Sequence, residues 1–330
     1  MKRSGVAVSV VVPTYRRPSL LLRCLQALCG QAFARRDYEI IVADDDGQDP
    51  VVRAVVGRIA RAIAGAPLVR YLSVLHTQGP AGARNAGWHL ARGEIVAFTD
   101  DDTIPDSRWL AEGCAALARV PQASAAGGRI EVPMPEHPTD WERETGGLAR
   151  AEFATANTFV RRTALERVGG FDERFTRAWR EDSDLMFALI KEVGPVIAAP
   201  LARVVHPVRP APWGVSIGEQ AKVYFDALLY KKHPLLYRTR IRPLPPWHYY
   251  LAVLALLATA AALLAGWGTM ALSAAAVWAG ITAIFCWRRL RGASTAPSHV
   301  VEMIVTSIAI PPVSLYWRLR GAVDFRVLFL

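Results

Sequence analysis

From Tyr249 to Trp287 the chain contains no Asp, Glu, Lys or Arg. An element of a water-soluble fold keeps one face wet with charged or polar side chains, and a charge-free stretch this long has none to offer. It divides at Gly266-Trp267-Gly268-Thr269 into segments of about 249–265 and 270–287, each close to the length that crosses a bilayer. Lys231, Lys232, Arg238, Arg240 and Arg242 precede the first segment, and Arg288, Arg289 and Arg291 follow the second. Cytoplasmic loops carry the excess of basic residues, so a helical hairpin with both ends in the cytoplasm is predicted. Trp247, Tyr249 and Tyr250 stand where aromatic side chains favour the membrane–water boundary. A third apolar segment, about 300–317, holds Glu302 and the break Pro311-Pro312. Were it to cross, Arg318 and Arg320 would lie outside, so it reads as re-entrant or interfacial.

The rest of the chain has a different texture. Hydrophobic residues make up 52% of the sequence at a mean hydropathy of +0.19, yet before about residue 245 they come in short runs separated by charges. The formal charge of +10 suits an anionic membrane surface or a phosphorylated substrate. It does not suit nucleic acid, because the basic residues flank apolar segments instead of forming one aromatic-lined groove. Cys24, Cys29, Cys114 and Cys286 have no metal-ligand or redox spacing, as in a reducing compartment. Val6 to Val12 stops at Pro13 with no small-residue cleavage site after it, and reads as a buried first strand, not a signal peptide.

Strand-like and helix-like runs alternate through the first half. Strands are predicted at Val6–Pro13, Tyr38–Ala43, Leu68–Leu75 and Ile95–Thr99. Helices are predicted from Ser19 as cap to about Gln31, and over Val51–Ala64, Ala81–Ala91 and Ser107–Arg119. This rhythm implies an α/β fold with a mainly parallel sheet and helices on both faces. Ala123–Val132, Phe153–Arg161 and Val196–Val205 look like added strands, and Pro133 to about Gly147 like a surface loop.

Chemistry gathers at the strand ends. Ile95–Thr99 runs straight into Asp100-Asp101-Asp102, three carboxylates whose mutual repulsion a divalent cation would offset. The second strand ends in Asp44-Asp45-Asp46-Gly47; an aspartate there can accept hydrogen bonds from a base or a ribose hydroxyl. Between them, Gly79-Pro80-Ala81-Gly82-Ala83-Arg84-Asn85-Ala86-Gly87 offers small residues at a helix start and a planar cation for phosphate or nucleobase. No Gly-Lys-Ser/Thr follows, so this is not a phosphate-cradling P-loop. Glu181, Asp182 and Asp184 open a later helix and point different ways around its axis, leaving one able to face a cleft as a general base.

Val10-Val11-Val12-Pro13-Thr14-Tyr15, Asp44-Asp45-Asp46-Gly47, Gly82-Ala83-Arg84-Asn85-Ala86-Gly87, Asp100-Asp101-Asp102 and Glu181-Asp182 occur in the order seen in family 2 glycosyltransferases. The stretch Asn157–Arg162 to Val168–Asp172 is similar to that family's acceptor half, and the resemblance covers roughly residues 6–206. It implies a GT-A fold, a nucleotide-diphosphate sugar donor with a UDP-sugar foremost, a divalent metal (Mn²⁺ or Mg²⁺) and inversion at the anomeric carbon. Carried over, Pro13, Tyr15, Asp45, Arg84 and Asp101 would bind the nucleotide, with Asp44 or Asp46 as the alternative register for Asp45. Asp100 and Asp102 would be the outer members of the Asp-X-Asp motif, Asp102 the better direct ligand, and His206 would complete the metal shell. Asp182 would be the catalytic base. The Gln-X-X-Arg-Trp motif of processive members is replaced by Gly218-Glu219-Gln220-Ala221-Lys222-Val223-Tyr224, which points to transfer of a single sugar.

The expected organisation is a catalytic domain over 1–230 (nucleotide-sugar half about 1–105, acceptor half about 106–230), then a basic linker and membrane region over 231–330. The expected activity is metal-dependent, inverting transfer to a membrane-held acceptor, such as a polyprenyl-linked saccharide or a glycolipid, at the cytoplasmic face of the inner membrane in cell-envelope glycan synthesis. The alternatives are an inactive membrane-bound partner of the same fold, or a glycosyltransferase acting on a soluble or protein acceptor.

Overall fold

The computed structural model describes residues 5–62 and 67–329. The chain divides into two compact units, Met1–Pro133 with Gly146–Val208 and Met134–Thr145 with Arg209–Leu330. That division lies earlier than the 230/231 boundary suggested by the change in composition, and most of the stretch expected as a surface loop joins the second unit.

The first unit is built on eight strands: β1 (Val8–Thr14), β2 (Tyr38–Asp44), β3 (Leu68–Ser73), β4 (Ile95–Phe98), β5 (Ile104–Pro105), β6 (Ala125–Glu131), β7 (Thr158–Arg161) and β8 (Val196–Val205). They form one sheet in the order β3-β2-β1-β4-β7-β6-β8-β5. β1, β2, β3 and β4 pair in parallel, whereas β7 runs antiparallel to both β4 and β6, and β5 runs antiparallel to β8. The parallel character expected from the alternating elements therefore holds in the first half and gives way at β7, making the sheet mixed.

The valines of β1 show why. Val8, Val10 and Val12 pack on one face with Leu21, Leu25 and Leu28, and Val11 is equally buried on the other. A strand buried on both faces reads as a continuous apolar run and needs helices on either side. These are α1 (Pro18–Cys29), α2 (Pro50–Ala62), α3 (Pro80–His89) and α4 (Trp109–Arg119). The first three open on proline, whose missing N–H is harmless in the first helical turn. Ser19 thus lies inside α1 and does not cap it; Arg17 occupies the cap position. The predicted end of the second helix at Ala64 lies outside the described residues. The two-residue β5 gave no periodic signal.

α5 (Asp140–Gly146) belongs to the second unit; α6 (Arg162–Val168) and α7 (Glu181–Glu192) return to the first. Strand order reverses at β1/β4, and in open α/β sheets ligands bind beyond the carboxyl ends of strands at such a switch point. Both aspartate runs sit at carboxyl ends in this half of the sheet.

The second unit is helical: α8 (Val215–Glu219), α9 (Val223–Lys232), the single turn α10 (Pro234–Leu236), α11 (Trp247–Leu264), α12 (Gly268–Leu290) and α13 (Pro297–Asp324). The last three are long and apolar enough to cross a membrane by length and composition. α11 and α12 pack on one another as the predicted hairpin. α13 runs through Pro311 and Pro312 without ending, so the break expected there is absent and the helix extends beyond the predicted 300–317 at both ends. α5 is fastened to this unit by Asp140, whose carboxylate takes Arg289 at 2.7 Å, and by Arg143, which donates to the carbonyls of Arg289 and Arg291.

Candidate active site

The three aspartates after β4 repel one another, and the fold relieves this by turning them apart. Asp101 is buried, accepting from the Thr14 hydroxyl at 2.8 Å and from Arg17 at 3.4 Å. Burial outweighs these partners and pushes its carboxyl up to about 6. Asp100 takes the Arg84 guanidinium at 2.8 Å. Asp102 lies 3.4 Å from His206 Nε2, at the end of β8.

The aspartates after β2 diverge in the same way. Asp44 is fully buried and accepts from the Tyr71 hydroxyl at 2.6 Å and from the backbone N–H groups of Asp46 and Asp49, which makes it a bracket for its own turn. Asp46 pairs with Arg16 at 2.8 Å. Asp45 accepts the Gly79 N–H at 3.0 Å, at the start of α3. Burial raises its carboxyl above the ordinary range, and the Gly79 N–H acts in the other direction. Gly79 has φ +96° and a Cβ there would stand 2.6 Å from the Thr176 carbonyl oxygen, so only glycine brings this N–H to Asp45.

Arg84, buried on α3, links the regions. One guanidinium nitrogen meets Asp100, and the other meets buried Glu181 at 3.0 Å at the start of α7. Its Nε and the second Glu181 oxygen, Oε2, are both buried without a hydrogen-bond partner. Burial and the neighbouring Asp182 charge raise the Glu181 carboxyl. Asp182 is half-buried, accepts the Ser183 N–H at 2.6 Å and is also raised, by burial first, with Ser183, Arg180 and Arg84 opposing. Asn85, next to Arg84, donates to the Phe171 carbonyl at 2.8 Å and Glu173 at 2.9 Å while accepting the N–H groups of Phe171 and Trp88 at 2.9 Å. It thereby holds the segment that leads into α7.

A family model described as glycosyl transferase family 2 matches residues 9–180, which contain both aspartate runs and the Gly79–Gly87 segment. The chain belongs to glycosyl transferase family 2. It is 30% identical over 174 residues to glycosyltransferase AglE of Haloferax volcanii, covering 50% of this chain and 55% of that protein. It is 37% identical over 95 residues to a GalNAc(5)-diNAcBac-PP-undecaprenol beta-1,3-glucosyltransferase of Campylobacter jejuni, 29% of each chain. The chain thus spans about half or less of the length of these curated relatives. The fold is similar to that of a mannosyltransferase of Pyrobaculum calidifontis solved with GDP-Man and Mn²⁺. That likeness has a TM-score of 0.60 at 22% identity, over 91% of this chain and 86% of the other.

Asp45, Asp100, Asp102 and His206 follow the carboxyl ends of β2, β4 and β8. Asp100, Asp102 and His206 form a group whose ligand atoms all lie within 4.8 Å of one another. The donor set suits a hard or borderline cation: two carboxylates, with an imidazole whose buried Nδ1 has no hydrogen-bond partner. Arg84, expected to meet a nucleotide, is occupied on both sides by carboxylates. Asp101 faces inward to Thr14 and Arg17. The sequence reading missed Glu181 as the partner of Arg84, Thr14 and Arg17 as the holders of Asp101, and Asn85. A Glu directly before the Asp proposed as base was the one available signal.

Proposed function

We propose that this family 2 chain transfers a single sugar from a nucleotide-diphosphate sugar to a hydroxyl of a membrane-held acceptor, with inversion and with a divalent metal. The observation that carries this reading is the linkage Asp182-Glu181–Arg84–Asp100. In that linkage a half-buried carboxylate, raised by burial, is one residue from a pair that reaches the Asp100–Asp102–His206 group.

In the proposed reaction Asp182 takes the acceptor hydroxyl proton as that oxygen bonds to the anomeric carbon. The bond from that carbon to the donor phosphate oxygen breaks, and the nucleoside diphosphate leaves on the opposite face, which inverts the centre. A carboxylate base must lie within hydrogen-bond reach of the proton it removes. The metal, held by Asp100, Asp102 and His206, would neutralise charge on the diphosphate. Asp45 and Gly79 shape the nucleoside side, alongside Pro13 and Tyr15, with Asp101 held behind them. Arg84 keeps Asp100 and Glu181 from repelling the Asp182 charge.

The membrane-held acceptor rests on α11 and α12: in α11, Leu251, Leu254, Leu256, Leu257, Leu263 and Leu264 are exposed at 42–91%, and in α12 Met270, Leu272, Val277 and Ile284 at 53–74%. The undecaprenol-linked substrate in the name of the Campylobacter relative supports it. The basic flanks support a position on the cytoplasmic face as an integral protein, and single transfer rests on the replaced Gln-X-X-Arg-Trp motif.

The test is transfer from a panel of nucleotide sugars to polyprenyl-diphosphate-linked and soluble acceptors, by purified full-length protein with Mn²⁺, Mg²⁺ or chelator. The reading expects a lipid-linked acceptor and a metal requirement. Full turnover in chelator would sink the metal role, and equal use of soluble acceptors would sink the membrane role.

A further inference from the structure

Helix α13 buries polar side chains on one side and leaves an apolar stripe exposed on the other. The side packed against the protein holds His299, Thr306, Ser307, Ser314 and Arg318 together with Met303, Ile310 and Leu315, all buried. The opposite side carries Val301, Ile304, Ile308, Tyr316, Leu319 and Val323 at helical spacing, each between 45% and 74% exposed. A stripe this long and apolar, with polar residues turned inward, marks a contact with something other than water.

Its neighbours determine how it lies. The segment carrying α8 and α9 runs beside α13: the Gly214 N–H donates to Glu302 at 2.7 Å, the Tyr224 hydroxyl to Asp324 at 3.1 Å, and Lys231 to the Phe325 carbonyl at 2.8 Å. At the Gly321 position a Cβ would stand 2.5 Å from the Tyr224 carbonyl oxygen, so the two helices touch backbone to backbone. From Glu302 to Gly321 a helix advances about 28 Å, close to the thickness of a hydrocarbon core. If α13 crossed the bilayer, it would carry Glu219, Lys222 and Asp226 of its companions in with it. Charged side chains are disfavoured in the hydrocarbon core.

The hairpin meets α13 from the side. Arg289, at the basic end of α12, donates to Thr306 at 2.7 Å and Ser307 at 3.1 Å, well inside α13 and away from its ends. In the most apolar window of each long helix, α11 is 17% buried, α12 11% and α13 39%. α13 thus has a covered side that the hairpin helices lack.

We infer that α13 lies flat in the cytoplasmic boundary of the bilayer, its Val301–Val323 stripe immersed in the acyl chains of that leaflet and its polar side against α8, α9 and the base of the hairpin. The occupant of the stripe is lipid, continuous with the lipid around α11 and α12. The membrane region then has two spans, and Phe325 stays on the side of the 231–242 segment. This rests on the membrane reading of α11 and α12.

The test uses full-length protein with its native cysteines replaced by serine and single cysteines from Ile304→Cys, Ile308→Cys, Leu319→Cys or, in the hairpin, Leu257→Cys. Each carries a nitroxide in phosphatidylcholine–phosphatidylglycerol vesicles, and depth is read from the ratio of oxygen to nickel-chelate accessibility. Nucleotide binding by each labelled protein confirms that it is folded. The three α13 positions are expected at one shallow depth, roughly 5–10 Å below the headgroups, with Leu257→Cys far deeper. Depth that rises and falls from 304 to 319 would make α13 a third span and overturn the inference. Nickel access at all three, with Leu257→Cys still deep, would overturn it in favour of water or a protein on the stripe. Nickel access at Leu257→Cys as well would overturn the membrane reading itself.

Discussion

Each unit of the molecule has an arginine at its centre, and the two arginines do opposite work. In the first unit Arg84 lies beneath the carboxyl ends of the strands and pairs with Asp100 and Glu181, so that like charges crowd together where a ligand is expected. In the second, Arg289 pairs with Asp140 and reaches Thr306, Ser307 and Ser216, fastening helices whose apolar sides face outward. Around Arg84 the apolar residues are inside and the polar atoms surplus: Nε of Arg84 and Oε2 of Glu181 have no hydrogen-bond partner. Around Arg289 the apolar residues are outside, and its guanidinium is held by Asp140, Thr306, Ser307 and Ser216. Unsatisfied buried polar groups cost stability and persist where function needs them; the outward apolar faces of the second unit fit the proposed lipid surroundings.

The sharpest way to break this contrast is to remove the ion or its ligand. Chelation, or Asp102→Ala, is expected to lower transfer by about a thousandfold or more, the scale of several kcal/mol of lost charge stabilisation. Measured as initial rates with lipid-linked acceptor, the loss should be restored by added Mn²⁺ after chelation but not in Asp102→Ala. Asp140→Ala in the second unit should leave the metal response intact.

Next in size is Arg84→Met. Removing one partner of a buried ion pair leaves the other charge uncompensated and costs about 3–5 kcal/mol. Adding Glu181→Gln should recover much of this in thermal unfolding, since the charge that Arg84 covers is then gone. Transfer should stay low in the double variant, because Asp100 still lacks its cation. A double variant that is both stable and active would reduce Arg84 to a structural strut.

Arg289→Met should cost less, about 1–3 kcal/mol for the lost hydrogen bonds, because Asp140 is 22% exposed and can rehydrate. Unfolding in detergent should shift downward, while donor hydrolysis per folded molecule stays unchanged. Equal loss of hydrolysis would mean that the two arginines are not separable.

How much of this was legible beforehand differs between the units for a physical reason. The strands of the first half announce themselves because burial on both faces demands a continuous apolar run, as in Val8–Val12. The aspartate runs were equally visible, since three adjacent carboxylates are costly without a purpose. What the sequence concealed is which way each aspartate points. That is decided by distant donors, Thr14 for Asp101, Tyr71 for Asp44 and Gly79 for Asp45, and pairings across the sheet leave no mark on local periodicity. The antiparallel strands were concealed for the same reason. In the second unit the hairpin was plain from the missing charges, whereas α13 was read as interrupted because Pro311-Pro312 ordinarily ends a helix.

The smallest expected effect on stability bears on the base. Asp182 has a raised carboxyl because it is partly withdrawn from water beside Glu181, and Arg180 and Arg84 only partly compensate. Only the ionised form can accept a proton, so the acid limb of kcat should lie above the ordinary aspartate range and fall about tenfold per pH unit below it. The stability sign runs the other way. A carboxyl whose folded pKa exceeds its unfolded value favours the fold at low pH, and that contribution is lost as pH rises from the ordinary aspartate range through the folded pKa. At neutral pH the ionised Asp182 therefore weakens the fold. Asp182→Asn should abolish the acid limb together with turnover, keep nucleotide binding, and raise the unfolding temperature slightly. A variant that loses activity and also melts lower would mean that Asp182 holds the site together instead of serving it, and the difference between the two arginines would then lie in packing alone.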